Sequence, residues 1–234
     1  MLKRILDFLG AGVGLICFSP FLALIAIAIK LNSPGPALFR QERVGRNGNI
    51  FRIYKYRTMH ADAHLTGASV TAGDDERITS LGAFLRYHKL DELPQLINVL
   101  TGDMSMVGPR PEVKEFVDLF PAQYSRILSV RPGITHQGTL MFRNEESILA
   151  GVADPRSRYL GFVMPLKLKI YLDHLEQPIT EDLKIIMATL LPSLWVNYYP
   201  AIQLDEPALA RLSDFVQPEI PGMSRVEKAM EEMA

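Results

Sequence analysis

The sequence predicts a mainly helical α+β domain lying on a membrane, and three features predict it. Phe8–Ile29 runs 22 residues without a charge, interrupted only by Ser19-Pro20. Apolar residues recur at helical spacing at Leu93, Leu96, Ile97 and Leu100, and again at Val113, Phe116, Val117 and Phe120. Between the apolar run and these helices, Ala37–Arg43 and Asn49–Arg57 read as two strands of a small β-hairpin around an Asn-Gly turn.

The apolar run begins after Lys3 and Arg4. It is too long for the apolar part of a secretory signal, and no small-x-small cleavage site precedes Lys30, so removal is not expected. As a helix it would reach roughly 33 Å, enough to span a bilayer. Pro20 sits near its midpoint, where a proline removes one hydrogen bond and bends the helix. Cations flank both ends, which favours both ends on the cytoplasmic side. A helix bent at Ser19-Pro20 that enters and leaves one leaflet satisfies that bias. A kinked through-span is the other reading, and the residues alone leave the two even.

The chain has 234 residues, enough for one domain with a substantial core, and its net charge of −1 gives no nucleic-acid signature. Charge is uneven, however. Residues 30–57 carry Lys30, Arg40, Arg43, Arg46, Arg52, Lys55 and Arg57 against the single acid Glu42, whereas residues 201–234 form an acidic extension. Arg40, Arg43 and Arg46 fit contact with anionic lipid, at about 1 kcal/mol each. Lys55 and Arg57, interleaved with Tyr54 and Tyr56, are better candidates for a site. Cys17 is the sole cysteine, which excludes a disulfide framework or a cysteine metal cluster within one chain.

Ser33-Pro34-Gly35-Pro36 is a breaker cluster and a natural exit from the membrane. Residues 60–74 read as a loop and Ile78–His88 as a short helix carrying Arg86. Pro121 opens a helix with Tyr124, Ile127 and Leu128, and Arg131–Thr135 reads as a turn. Ile185–Val196 is uncharged but too short to span; with Trp195 near its end and Tyr198 and Tyr199 just beyond, an interfacial helix and a buried core helix are equally supported. The expected domain organisation is a re-entrant membrane helix hairpin over 1–32, a cytoplasmic-face catalytic domain with interfacial helices over 33–200 and the acidic extension over 201–234.

The densest chemistry is Leu90-Asp91-Glu92-Leu93-Pro94-Gln95. Proline is tolerated only in the first turn of a helix, so a helix starts at about Asp91. An aspartate there is ordinarily an N-cap, and Glu92 an ordinary dipole-compensating acid. The same position also suits phosphate chemistry. A carboxylate fixed there can attack phosphorus, with its neighbour accepting a proton or sharing a metal ion. Two anions facing an anionic substrate need cations; Mg²⁺, Lys55, Arg86 and Arg110 would supply them. Arg110, between Pro109 and Pro111, has a stiffened backbone suited to a pre-positioned clamp.

Four stretches carry a resemblance: Tyr54-Lys55-Tyr56-Arg57-Thr58-Met59, Leu90-Asp91-Glu92 through Leu100, Gly102-Asp103-Met104-Ser105-Met106-Val107-Gly108-Pro109-Arg110-Pro111, and Arg131-Pro132-Gly133-Ile134-Thr135. Together, over about residues 1–190, they closely resemble the bacterial sugar transferase family, the small monotopic phosphoglycosyl transferases. The resemblance implies transfer of a phosphosugar from a UDP-sugar to undecaprenyl phosphate with release of UMP, at the cytoplasmic face of the bacterial inner membrane. It implies a re-entrant helix broken at Ser19-Pro20, Asp91 as nucleophile and metal-side carboxylate, Glu92 as assisting base, and Mg²⁺ as cofactor. Lys55, Arg57, Arg86, Arg110 and Arg131 would bind the substrates. No nucleic acid is expected as a partner; a homodimer through the acidic tail is one option.

Two departures stand out. Lys89 replaces a usual Ser or Thr, and His136 a usual Gly. Two other functions compete with this reading: a metal-dependent glycosyltransferase using Asp74-Asp75-Glu76, and a non-catalytic membrane scaffold in which Asp91 merely caps a helix.

Overall fold

A computed structural model describes residues 2–60, 63, 75–150, 154–175, 177–191, 199 and 201. The expected loop over 60–74 (apart from His60 and Ala63), Asp74, Trp195, Tyr198 and the acidic tail lie outside these residues. The architecture is mainly helical with two small sheets, as the apolar spacing predicts. The chain divides into two compact units. One comprises Met1–Gly67, Asp75–Pro111 and Arg131–Ile134; the other comprises Ala68–Asp74, Glu112–Val130 and Thr135–Ala234.

The first unit holds helix α1 (Leu2–Asn32), the hairpin strands β1 (Leu38–Val44) and β2 (Ile50–Tyr56), and helix α2 (Ser80–Tyr87). A 3₁₀ turn (Leu90–Gln95) leads directly into α3 (Leu96–Thr101) and on to β3 (Ser105–Val107). The hairpin is antiparallel, with Phe39 opposite Lys55 and Arg43 opposite Phe51. Its turn places Asn47 at φ 58° and Gly48 at φ 79°, the left-handed conformations that an Asn-Gly pair adopts most readily. The stretch read as a turn at Arg131–Thr135 instead forms a short strand, β4 (Gly133–Thr135), that pairs with β3. Three-residue strands are too short to show a period-two pattern, so neither was legible in the sequence.

α1 is long and apolar enough to cross a membrane, and only 11% of its most apolar window is buried within the protein. At ~1.5 Å per residue, its 31 residues measure about 46 Å. Helical geometry continues through Pro20. The carbonyl that Pro20 cannot serve is that of Ile16, four residues back, and Ser19 Oγ donates to it at 2.9 Å. The Ser-Pro pair therefore removes a backbone bond and replaces it from a side chain.

Both halves of α1 touch the same unit. In the first half, Ala11 and Leu15 pack with Ile53, Leu96, Val99 and Met104. Arg4 donates to the carbonyls of Val99 and Leu100 at 2.6 and 3.1 Å, a cation closing the C-terminal end of α3. Asp7 accepts from Ser105 Oγ and from the Met106 amide. In the second half, Ile25 and Ile29 pack with Tyr56 and Leu85. Tyr56 donates to the Leu22 carbonyl at 2.7 Å, and burial pushes its phenol up to about 12.

The second unit contains α4 (Lys114–Leu119), α5 (Pro121–Ile127), α6 (Gln137–Met141), α7 (Glu145–Leu149), α8 (Pro155–Arg158), a π turn (Tyr159–Val163), α9 (Met164–His174) and α10 (Ile179–Leu190). Its core joins Phe116, Phe120, Tyr124, Phe142, Tyr159, Met164, Leu168 and Tyr171. Inside it, Lys167 pairs with Glu145 and lies over the rings of Phe142 and Tyr159. His136 occupies the N-cap of α6, its Nδ1 accepting from the Gly138 amide at 3.0 Å. That gives the His136 departure a local structural role. α10, which contains the start of the uncharged stretch, splits its faces: Ile185 and Ala188 are buried, whereas Leu183, Met187 and Leu190 are exposed.

Candidate active site

The site is built on β2 and the 3₁₀ turn. Asn98, fully buried on α3, locks the two together: its Oδ1 accepts from the Tyr54 amide at 3.0 Å and its Nδ2 donates to the Arg52 carbonyl at 2.8 Å. The side chain thus hydrogen-bonds β2 as a further strand would, and sets the height of Lys55 against the turn. Helical periodicity does not single out Asn98; a polar residue inside the apolar run Leu96–Leu100 was the only available signal.

The turn corrects the expected local structure. The helix does not start at Asp91 with a side-chain cap. Lys89 is the N-cap, in a left-handed conformation (φ 55°, ψ 23°), and it makes no side-chain capping bond. Lys89 thereby bends the chain between α2 and the 3₁₀ turn, and its charge acts on Asp91. Pro94 is accommodated because a 3₁₀ turn of this length asks little of its missing N–H. Nor is Asp91 an N-cap: the residue is 7% exposed, and its Oδ1 is buried without a hydrogen-bond partner. Burial and the neighbouring Glu92 carboxylate raise its pKa; Lys55, Arg86 and Lys89 pull the other way.

Glu92 is not a surface acid. Lys55 Nζ donates to its Oε1 at 2.8 Å, and the Arg110 guanidinium spans both oxygens, at 2.5 Å to Oε1 and 3.2 Å to Oε2. Burial alone would raise its pKa, but Arg110 and Lys55 hold it well below the ordinary value. Lys55 is itself shifted down, first by burial and then by Arg110, with Glu92 and Asp91 opposing. A carboxylate so stabilised is a poor proton acceptor. Its geometry is that of an anchor gathering two cations beside Asp91.

Of the seven site residues proposed from the sequence, the structure brings together Asp91, Glu92, Lys55 and Arg110, with Arg86 close enough for its charge to act on Asp91. Arg86 Nη1 also lies 3.5 Å from Thr58 Oγ1. The other two are occupied elsewhere in the same unit. Arg57 is buried and donates to the carbonyls of Pro34 at 2.6 Å and Ser33 at 2.8 Å, closing the C-terminal end of α1. Arg131 Nε donates to the Gly102 carbonyl at 2.8 Å, just past the end of α3. Arg57→Ala is accordingly expected to cost about 2–3 kcal/mol of stability by leaving buried carbonyls unpaired. Its KM for any substrate should stay within about threefold of wild type. Thermal unfolding together with steady-state kinetics checks this, and a selective rise in KM at unchanged stability would return Arg57 to the site.

The residues fit a magnesium ion of one particular kind. Among the described residues no group of three His, Cys, Asp or Glu side chains converges, so a cage made wholly of protein ligands is not built there. Asp91 does offer a carboxylate whose Oδ1 is unpartnered. Mg²⁺ is commonly held by one or two carboxylates, with substrate phosphates and water completing its shell. The other proposed acidic motif is committed differently: both Asp75 oxygens accept from the Arg77 guanidinium, at 2.5–3.1 Å.

Residues 1–195 match the family model described as bacterial sugar transferase. The chain belongs to that family. Among relatives of this sugar transferase, a UDP-glucose:undecaprenyl-phosphate glucose-1-phosphate transferase of Caulobacter vibrioides is 47% identical over 136 residues, 57% of this chain and 51% of that protein. A UDP-N-acetylgalactosamine-undecaprenyl-phosphate N-acetylgalactosaminephosphotransferase of Aeromonas hydrophila is 45% identical over 137 residues, 57% of this chain and 32% of that protein. Exopolysaccharide production protein ExoY of Rhizobium meliloti is 37% identical over 168 residues, 65% of this chain and 74% of that protein. The chain thus spans about half of the Caulobacter relative and about a third of the Aeromonas one.

Proposed function

We propose that this sugar transferase moves a sugar-1-phosphate from a UDP-sugar to undecaprenyl phosphate, releasing UMP, through a covalent phosphosugar ester on Asp91. One observation carries the reading: a buried carboxylate with an unpartnered oxygen stands beside two cations that a second carboxylate holds in place. The activities for which the Caulobacter and Aeromonas relatives are named agree with the overall transfer.

In the first step Asp91 attacks the β-phosphorus, a P–O bond forms to its carboxylate, and the bond to UMP breaks with the electron pair leaving on UMP. In the second, the lipid phosphate attacks the same phosphorus and the carboxylate leaves. Lys55 and Arg110 bind non-bridging phosphate oxygens in both steps; Arg110 is the directional partner because its planar fork can hold two oxygens at once. Glu92 keeps the two cations in register, and a bound phosphate draws them partly from it. Mg²⁺, held by Asp91 and the diphosphate, would neutralise charge on the departing UMP. Incubation with a panel of UDP-sugars, Mg²⁺ and polyprenol phosphate should release UMP with at least one donor. Release with none would reject the reading.

The proposed setting is the cytoplasmic face of the bacterial membrane, with α1 re-entrant and bent about Ser19-Pro20. Both halves of α1 dock on the unit that carries the site, which supports this arrangement: a helix standing across the bilayer would carry one half away from that unit. Lys3 and Arg4, pinned to β3 and α3, belong on the same side as Asp91. Single cysteines at positions 2 and 60 in a Cys17→Ser background should both label from the cytoplasmic side. Pro20→Leu restores the backbone bond to Ile16 and should move position 2 towards the opposite side in part of the population. Periplasmic labelling of position 2 in the parent protein would exclude the re-entrant arrangement.

A further inference from the structure

Arg110 follows the end of β3 by three residues, and β3 is held by two partners. The first is β4: the Ser105 amide donates to the Pro132 carbonyl at 2.8 Å, and the Gly133 amide to the Pro109 carbonyl at 2.9 Å. The two segments approach so closely that a Cβ on Gly133 would lie 2.0 Å from the Gly108 nitrogen. The second partner is α1, through side chains one helical turn apart. Asp7 accepts from the Met106 amide at 2.9 Å and from Ser105 Oγ at 2.8 and 3.0 Å. Lys3 donates to the Val107 carbonyl at 3.0 Å. Asp7 is the sole acid of α1; it is buried, and these bonds to β3 are what it makes. Burying a carboxylate is costly unless hydrogen bonds hold it, so the position of this charge is explained by the strand it grips. Beyond β3, Pro109 and Pro111 restrict the backbone on either side of Arg110, and Arg43 donates to the Pro111 carbonyl at 3.2 Å.

We propose that Asp7 is a positioning residue for Arg110: by fixing β3, its carboxylate sets where the Arg110 guanidinium meets phosphate. This rests on Arg110 binding phosphate oxygens in the proposed reaction. The link is short. Gly108-Pro109 lies packed on β4, so a shift of β3 has little slack in which to dissipate before it reaches Arg110. The guanidinium must hold Glu92 at 2.5 and 3.2 Å and still present its fork to a substrate, a geometry that tolerates little displacement. Asp7 itself meets no substrate, and no proton is transferred at it. The long apolar helix is thereby part of the scaffold of the site.

The test uses the full chain in membranes or detergent, with a UDP-sugar accepted by the wild type, Mg²⁺ and undecaprenyl phosphate. Asp7→Ala removes the carboxylate, and kcat/KM for the UDP-sugar should fall about 10- to 100-fold, the scale produced by a small misplacement of a catalytic group. Asp7→Asn should recover most of that loss, because its carbonyl still accepts from Met106 and its NH₂ can donate to Ser105 Oγ. The separating measurement is a double-mutant cycle with Arg110→Ala. With the guanidinium gone, adding Asp7→Ala should change kcat/KM by less than about threefold, since nothing is left to position. Losses that multiply would overturn the proposal, because they describe a contact that merely supports the fold. Wild-type kcat/KM in Asp7→Ala would overturn it too, as would Asp7→Asn damaged as badly as Asp7→Ala. Should Asp7→Ala not fold, Ser105→Ala drops only the Oγ bonds; it should lose about three- to tenfold with the same non-additivity, and a full or multiplicative activity profile there would reject the role. Absence of UMP release by the wild type itself would instead strike the functional reading on which the proposal stands.

Discussion

Asp91→Asn is expected to abolish transfer, by about 10⁴-fold or more, while raising the melting temperature at neutral pH. The two effects have one source. Burial and Glu92 disfavour the charged carboxylate, so its pKa is raised above the ordinary value. A carboxyl with a raised folded pKa favours the fold below its unfolded value, and that contribution is lost as pH rises through the folded value. Wherever Asp91 is ionised, the native protein therefore keeps a charge that the fold disfavours, a cost accepted for nucleophilicity. The amide keeps the shape, drops the charge and cannot attack phosphorus. Intact-protein mass spectrometry with donor and Mg²⁺ but no lipid should show an added phosphosugar on wild type and none on Asp91→Asn. Since only the ionised carboxylate attacks, the acid limb of UMP release should lie above the ordinary aspartate range. Sequential kinetics without an adduct would recast Asp91 as a metal ligand, and a lowered melting temperature would show that its charge supports the fold.

Glu92→Gln should be the most damaging single change to stability, about 3–5 kcal/mol, because it strips the shared counter-ion from two largely buried cations. Lys55 and Glu92 side chains are only 18% and 12% exposed, and Arg110 is 29% exposed. With Arg110 and Lys55 holding its folded pKa well below the ordinary value, Glu92 contributes stability that is present above its unfolded pKa and is lost only as pH falls through the folded one. Glu92→Gln should therefore unfold at a lower temperature than wild type at pH 7, with the gap closing in strong acid. Adding a nucleoside diphosphate should stabilise the variant more than wild type, since a bound anion restores the missing counter-charge. If Glu92→Gln keeps wild-type stability and loses only a pH-dependent rate, Glu92 is acting as the base that the family resemblance suggests.

Much of this was legible in the sequence because it is local. An uncharged run with a central Ser-Pro, an Asn-Gly turn between two short strands and helical apolar spacing each depend on residues a few positions apart. The structure follows them: α1 over Leu2–Asn32, strands within a residue of the expected ends, and α4 and α5 where the apolar stripes lie. Adjacent motif residues fared equally well, since Asp91-Glu92 and Pro109-Arg110-Pro111 are recognisable as strings.

What only the tertiary structure decided is which charge meets which. Lys55 and Arg57 alternate with the same tyrosines, yet they reach different destinations: Lys55, on β2, meets Glu92, whereas Arg57, just past the end of the strand, meets the carbonyls ending α1. Asp91 and Glu92 differ by a single position and receive opposite pKa shifts, because Arg110, 18 residues away in sequence, and Lys55 both pair with the second. Electrostatic environment depends on distances between segments far apart in the chain, and local pattern carries no record of those distances.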